Sequence, residues 1–402
     1  MTKVLGRHHA QRGDVIGGEG EHQSSHLNRK ASGMRTLRSR LWILGATASL
    51  VLTGSLALTT ATPAGASAPA IMVHCPGDLQ GAINNAAPGS TLVVDGTCTG
   101  NFFVWKDLTL SGPATLDGAS AGATVHVLAV TAALNNLTIQ HGAGFGGGVW
   151  NDGHLTLNNA TVTANDSGGI FNQGQLTVNG STVSHNTSDW NSGGIYNCGD
   201  NPAMQFYGFC LSPASLTLNG STVSNNVERF GSGGGITNDP SATMTINTSV
   251  ITDNTAGASG GGIDNNGTAT ITLSAINNNT SNGGSNTWSG GGGIHNTGPT
   301  TIRASLIRNN TAAWLAGGIF AGGPTTITNA IVIGNHAGPA GGGMVTWDGP
   351  TTVANSVFSN NGDQGSFGPD NPAGVYVATN PLWLQYFPNI HPSFTTTHST
   401  FS

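Results

Sequence analysis

From residue 149 to residue 361 the apolar positions fall into a repeated three-part pattern. An apolar anchor follows a Gly pair or triplet: Val149, Ile170, Ile195, Ile236, Ile263, Ile294, Ile319 and Met344. An apolar–Thr–apolar triplet comes next, with Thr in its first position in the last three copies, ending at Leu157, Val178, Leu218, Ile246, Ile271, Ile302, Ile327 and Val353. An Asn stands eight positions beyond each triplet end, at Asn165, Asn186, Asn226, Asn254, Asn279, Asn310, Asn335 and Asn361. The anchors are spaced by 21, 25, 41, 27, 31, 25 and 25 residues, so loops of varying length interrupt a constant unit. Periods in this range mark a solenoid.

The segments are too short for helices, alternate with period two, are rich in Val, Ile and Thr, and are bounded by Gly, Asn and Ser. They predict an all-β chain in which each repeat is one coil and successive coils pair in parallel about 4.8 Å apart. Alternation places Ile236 and Asn238 inward and the residue between them outward. Stacked Asn side chains can bond one another and their own turns, which makes the Asn rows structural. The Asn-x-Ser/Thr sequons, such as Asn219-Gly-Ser221, are by-products of that ladder. Asp78 to Ala87 reads as a short amphipathic helix capping the open N-terminal end.

The pattern Gly-Gly-Gly-Ile-x-Asn, then Leu-Thr-Leu, then Ser-x-Val-x-x-Asn resembles the right-handed parallel β-helix repeat of the pectin-lyase-like superfamily. It is most similar to the polymorphic outer-membrane-protein type of repeat, over roughly residues 75–365. The resemblance implies a single-stranded right-handed solenoid and an exported protein. It leaves function open, because this fold carries lyases, hydrolases and adhesins.

Composition adds a compartment. Eight of the twelve Lys and Arg, but only three of the eighteen acids, precede residue 71. Beyond that point four cations face fifteen acids, a net charge of −11, which argues against nucleic acid or anionic membranes as partners. Arg35, Arg38 and Arg40, the apolar run Leu41 to Leu58 and the small-residue sites Ala64-Gly-Ala66 and Ala66-Ser-Ala68 read as a secretory signal. The expected division is therefore 1–68 N-terminal extension and signal, with Met34 as an alternative start; 71–142 cap and irregular first coils; 143–365 regular repeats; and 366–402 a C-terminal cap or tail. Four cysteines in an exported chain invite disulfides. Of three connectivities, local pairing of Cys75 with Cys98 and Cys198 with Cys210 is the simplest. No Cys/His cluster has metal-ligand spacing, so neither metal nor cofactor is expected.

Candidate chemistry lies on the outward face, where Asp264 and His295 share one row with Thr237 and Asp239 stands in the next row. Asp239, Asp264 and His295 fall on three consecutive coils, close enough for acid–base work. The resemblance implies the same, since polysaccharide hydrolases of this fold carry Asp clusters on one outer face. The chain departs from the family's patterns, however. It has no Asn-Thr-Asp, Gly-His-Gly or Arg-x-Lys, and no acidic calcium set with a basic partner. The alternative is a solvated polar patch. A second candidate is an aromatic edge: Trp150, Phe171 and Tyr196 on the row, with Phe145, Trp190, Phe230, Trp288 and Trp314 in the corner loops before the anchors. Such rings suit the C–H faces of a glycan. A third is the Thr row from Thr156 to Thr352, whose regular hydroxyls raise ice binding as a lesser alternative to ordinary β propensity. Together these give an exported, monomeric, non-catalytic protein that binds a polysaccharide or cell-surface glycan, or serves as a surface or adhesion scaffold. A glycan lyase or hydrolase is the alternative.

Overall fold

Each coil starts where a glycine run lets two backbones and a buried amide meet. A Cβ at Gly262 would lie 2.6 Å from the Gly293 carbonyl oxygen and 2.9 Å from Asn279 Nδ2. Only glycine leaves room there, which explains why the run precedes every anchor. The computed structural model describes residues 70–144, 146–190, 192–199, 210, 212–283, 290–363, 374–377 and 392–402.

Those residues form a parallel β-helix of three sheets. One has eleven strands of three residues, from Phe102–Val104 to Val375–Val377. A long sheet of twenty-two strands carries two segments per regular coil, such as Ser215–Asn219 and Thr222–Ser224. A third has six two-residue strands, from Thr187–Ser188 to His336–Ala337. The anchors Val149 to Met344 form one ladder, each opposite the next. The triplet ends Leu157 to Val353 form another. Both ladders are buried, and they build a core that runs the length of the solenoid.

The Asn rows are internal, as expected. From Asn165 to Asn361 each Nδ2 donates to the Oδ1 of the next coil at 2.8–3.0 Å. Each amide also meets backbone: Asn254 Oδ1 accepts the Asn226 N–H, and Asn254 Nδ2 donates to the Val223 carbonyl, both at 3.0 Å. A second ladder runs from Asn151 to Asn296 at 2.7–2.9 Å. The residue before each Asn of the first ladder turns the corner with positive φ, as at Asn225 (55°), Asp253 (57°) and Asn278 (52°). Asn, Asp and Gly tolerate that region best, so Asn-Asn pairs recur there.

The helix Leu79–Asn85 covers the N-terminal end with Leu79 and Ile83 turned inward. Asp78 caps it by accepting the Gly81 N–H at 2.7 Å, and Lys106 Nζ donates to the Asn84 and Ala86 carbonyls at its other end. Cys75 is bonded to Cys98, and Cys198 to Cys210. Such bridges belong to oxidising compartments. No described helix is long and apolar enough to cross a membrane. At the C-terminal end the described part of the tail adds strands; the aromatic stretch 381–388 lies outside the described residues. Ser393–Thr397 pairs with Pro350–Ala354, and the Phe401 ring stacks on Phe358 at 5.3 Å. Phe394 and Phe401 pack against the core without the glycine run that marks the other coils.

Candidate functional site

On each strand of the eleven-stranded sheet the middle residue faces outward. Register aligns Phe103, His126, Trp150, Phe171, Tyr196, Thr237, Asp264, His295, Phe320 and Val345 in one row. The row divides into three stretches with different surroundings.

The first is open. The His126 and Trp150 rings stack with centroids 4.3 Å apart, and Phe103 lies 5.7 Å from His126. Asp152, at the corner just past Trp150, holds both walls. Its Oδ1 accepts Trp150 Nε1–H at 2.6 Å, and its Oδ2 lies 2.8 Å from His126 Nε2. Gln173 Nε2 donates to Oδ1 as well, at 2.8 Å. Three polar partners on neighbouring coils thus fix one carboxylate and two rings. Phe103, His126 and Trp150, with Asn101 and the Ala121–Ala123 turn, line a pocket of about 280 Å³. Asn101 Nδ2 ties that turn down through the Ala123 carbonyl at 2.8 Å. Phe103 and Trp105 are 46% and 49% exposed. On the far side of Asp152 a second cleft of about 470 Å³ opens among His154, Gln173, Gln175, Ser215 and Thr243.

The second stretch is covered. Phe171 and Tyr196 stack at 5.4 Å with nearly parallel planes, but they are only 2% and 5% exposed. The Cys198–Cys210 bridge and Ala214 pack on the rings. The Cys210 N–H donates to Gln173 Oε1 at 2.6 Å. These two rings therefore differ from the expected exposed edge: the disulfide and Ala214 cover them. Asp239 is drawn into this stretch, with Tyr196 O–H donating to its Oδ2 at 2.5 Å. Cys198, Cys210 and Asp239 lie close together, yet the sulfurs are bonded to each other and offer no thiolate.

In the third stretch Asp264 and His295 meet across adjacent coils, Oδ1 to Nδ1 at 2.6 Å. Asp264 Oδ2 accepts from Asn266 Nδ2 at 3.0 Å, and Asn266 Oδ1 accepts the Thr297 hydroxyl at 2.6 Å. His295 stacks on Phe320 at 4.9 Å. Of the expected trio, the structure joins Asp264 to His295 and sends Asp239 to Tyr196. Register is as the rows predict, with Thr237 opposite Asp264 and Asp239 one outward position further on.

The corner aromatics also divide. Trp190 and Phe230 are 86% and 69% exposed on neighbouring coils, beside an Arg229–Asp189 ion pair at 2.8 Å. Trp314 packs against the cluster of Leu315, Phe320 and Val345. Trp288 and Phe145 lie outside the described residues. Sequence reasoning missed Phe103, Trp105, His126 and Asp152 as a group. The one available signal was the apolar–x–apolar form of Val125-His126-Val127, which matches the outward row without the glycine run that marks later coils.

No protein-family model matches the sequence, and no curated protein matches it. Among solved structures, the chain is similar to an alginate lyase from Paenibacillus sp. str. FPU-7, with 14% identity, a TM-score of 0.38, and coverage of 82% of this chain and 99% of that one. It is also similar to the A-module of a mannuronan C-5 epimerase from Azotobacter vinelandii, with 12% identity, a TM-score of 0.41, and coverage of 80% and 94%.

Proposed function

We propose that this chain is an exported glycan-binding β-helix protein that holds a saccharide against the outer face of its eleven-stranded sheet. The observation that carries the reading is the open pocket walled by Phe103, His126 and Trp150. Its rings are fixed before any ligand arrives, because Asp152 ties down two of them. Preorganised aromatic faces bind at little cost in side-chain entropy. Residues 1–68 serve as extension and secretory signal in this reading, and the two disulfides fit the destination. Affinity electrophoresis or calorimetry against a polysaccharide panel tests it. The Trp150→Ala variant is expected to bind at least about tenfold more weakly, or about 1.4 kcal/mol. Unchanged binding would sink the reading.

A second reading, a glycan hydrolase or lyase, is favoured by the Asp264–His295 pair. A carboxylate that orients Nδ1 leaves Nε2 to take or give a proton. Reducing-end and unsaturated-product assays on the same panel test this reading. If turnover is found and Asp264→Ala abolishes it, the protein is an enzyme. If the wild type releases no product from any polysaccharide, the second reading fails.

A further inference from the structure

We infer that the glycan is uncharged and crosses the coil edge at Asp152, from the aromatic pocket into the polar cleft beyond it. This rests on the glycan reading above and specifies its substrate class. One carboxylate links the linings of the two hollows. Asp152 anchors His126 and Trp150, which wall the aromatic pocket, and itself lines the cleft beside Gln173. A chain lying over the rings would pass Asp152 to reach the cleft.

The two hollows offer different chemistry. The first presents ring faces for the C–H side of a sugar. The second presents amides, hydroxyls and an imidazole from Gln173, Gln175, Ser215, Thr243 and His154. Each of these groups can accept, and each can donate in one of its forms, which matches sugar hydroxyls that do both. At 470 Å³ the cleft falls within the roughly 300–1,000 Å³ of small-ligand sites.

Charge decides the class. No Lys or Arg is among the residues lining either hollow. The sequence from 199 to 214, which runs up to the cleft-lining residues Ser212, Pro213 and Ala214, contains none either. Lys106, next to Trp105, spends its N–H groups on the Asn84 and Ala86 carbonyls. Arg229 is paired with Asp189, and Arg303 and Arg308 lie on strands of the long sheet. A uronate in the groove would bring its carboxylate toward Asp152 with no cation to offset it, so an acidic polysaccharide is disfavoured at this crossing. Asp152 already accepts from Trp150 and Gln173 and contacts His126, and it is not left waiting for a cationic sugar.

The test is calorimetry on the full mature chain with length-matched neutral oligosaccharides, oligouronates and glucosamine oligomers, at low and high salt. Neutral oligosaccharides are expected to bind at least tenfold more tightly than both charged series, with little dependence on salt. Gln175→Ala is expected to weaken binding of long neutral chains while leaving a disaccharide on the aromatic pocket unaffected. In Asp152→Asn the amide oxygen still accepts from Trp150 and Gln173, and the amide N–H can meet a neutral His126. That variant, checked for folding by its melting curve, is expected to narrow the gap between neutral and uronate ligands. Equal or tighter binding of either charged series overturns the neutral assignment alone. An unchanged gap in Asp152→Asn removes Asp152 from the crossing. Absence of binding to every saccharide overturns the glycan reading itself.

Discussion

Replacing Ile263 by Asp is expected to destroy the cooperative melt of the solenoid and much of its β circular dichroism signal. Ile263 is fully buried and stands between Ile236 and Ile294 in the anchor ladder. A carboxylate there meets only apolar side chains inside a core one coil thick. Leaving a buried charge uncompensated costs about 3–5 kcal/mol, a large share of the roughly 5–15 kcal/mol that holds a domain folded. The architecture magnifies the effect, because each coil touches only its neighbours and a defect in the middle separates the two halves. Ile263→Val, which removes one methylene, is the control, with an expected loss of about 0.5–1.5 kcal/mol. An unchanged melting temperature for the Asp variant would mean that the side chain does not point inward.

The second large effect concerns Glu228. It occupies the inward row of the six-stranded sheet, where the neighbouring coils carry Ser188 and Ala256 and further coils carry Ser281 and Ala312. Burial pushes its carboxyl up to about 7 from an ordinary value of 4.5. Backbone N–H groups of Gly231 and Phe230 on Oε1 and the Ser188 side chain pull it partly back, while nearby Asp189, itself paired with Arg229, adds to the rise. A raised carboxyl means that the folded chain binds the proton more tightly than the unfolded one. Below about pH 4.5 both states carry it, and Glu228 imposes no charge penalty. Between about 4.5 and 7 stability falls as pH rises, and above 7 the full cost of about 3 kcal/mol is present. Glu228→Gln or Glu228→Ala is therefore expected to raise the urea midpoint at pH 8 much more than at pH 5. Equal shifts at the two pH values would show that the carboxyl does not titrate in this window.

The legibility of this chain follows from how its information is stored. Ile236, Met244, Ile246 and Asn254 were readable as inward positions because each repeats against an identical or similar residue one coil away. The period of two then fixes every face between them. The disulfides were readable as local pairs for a related reason, since each brackets a segment that breaks the repeat. The site was read less well. Phe171 and Tyr196 belong to the outward row, but outward does not mean open. Whether a ring is open depends on what packs over it, here the Cys198–Cys210 bridge and Ala214, and repetition carries no information about that. Asp239 was grouped with Asp264 and His295 from the neighbouring outward row, and its carboxylate accepts from Tyr196.

The sequence by itself determined the solenoid, its direction of stacking, the buried Asn and aliphatic ladders, the helical cap and the outward row, because these depend on local periodicity and on each coil matching its neighbour. Only the tertiary structure decided which part of that row is accessible and which residues act together. Asp152 has no repeat partner that would single it out. It matters because Trp150 on its own coil, His126 from the coil before and Gln173 from the coil after converge on one carboxylate, leaving a hollow on either side. That convergence joins side chains 21 to 26 residues apart whose reach depends on loop lengths and corner geometry, and no period in the sequence encodes either.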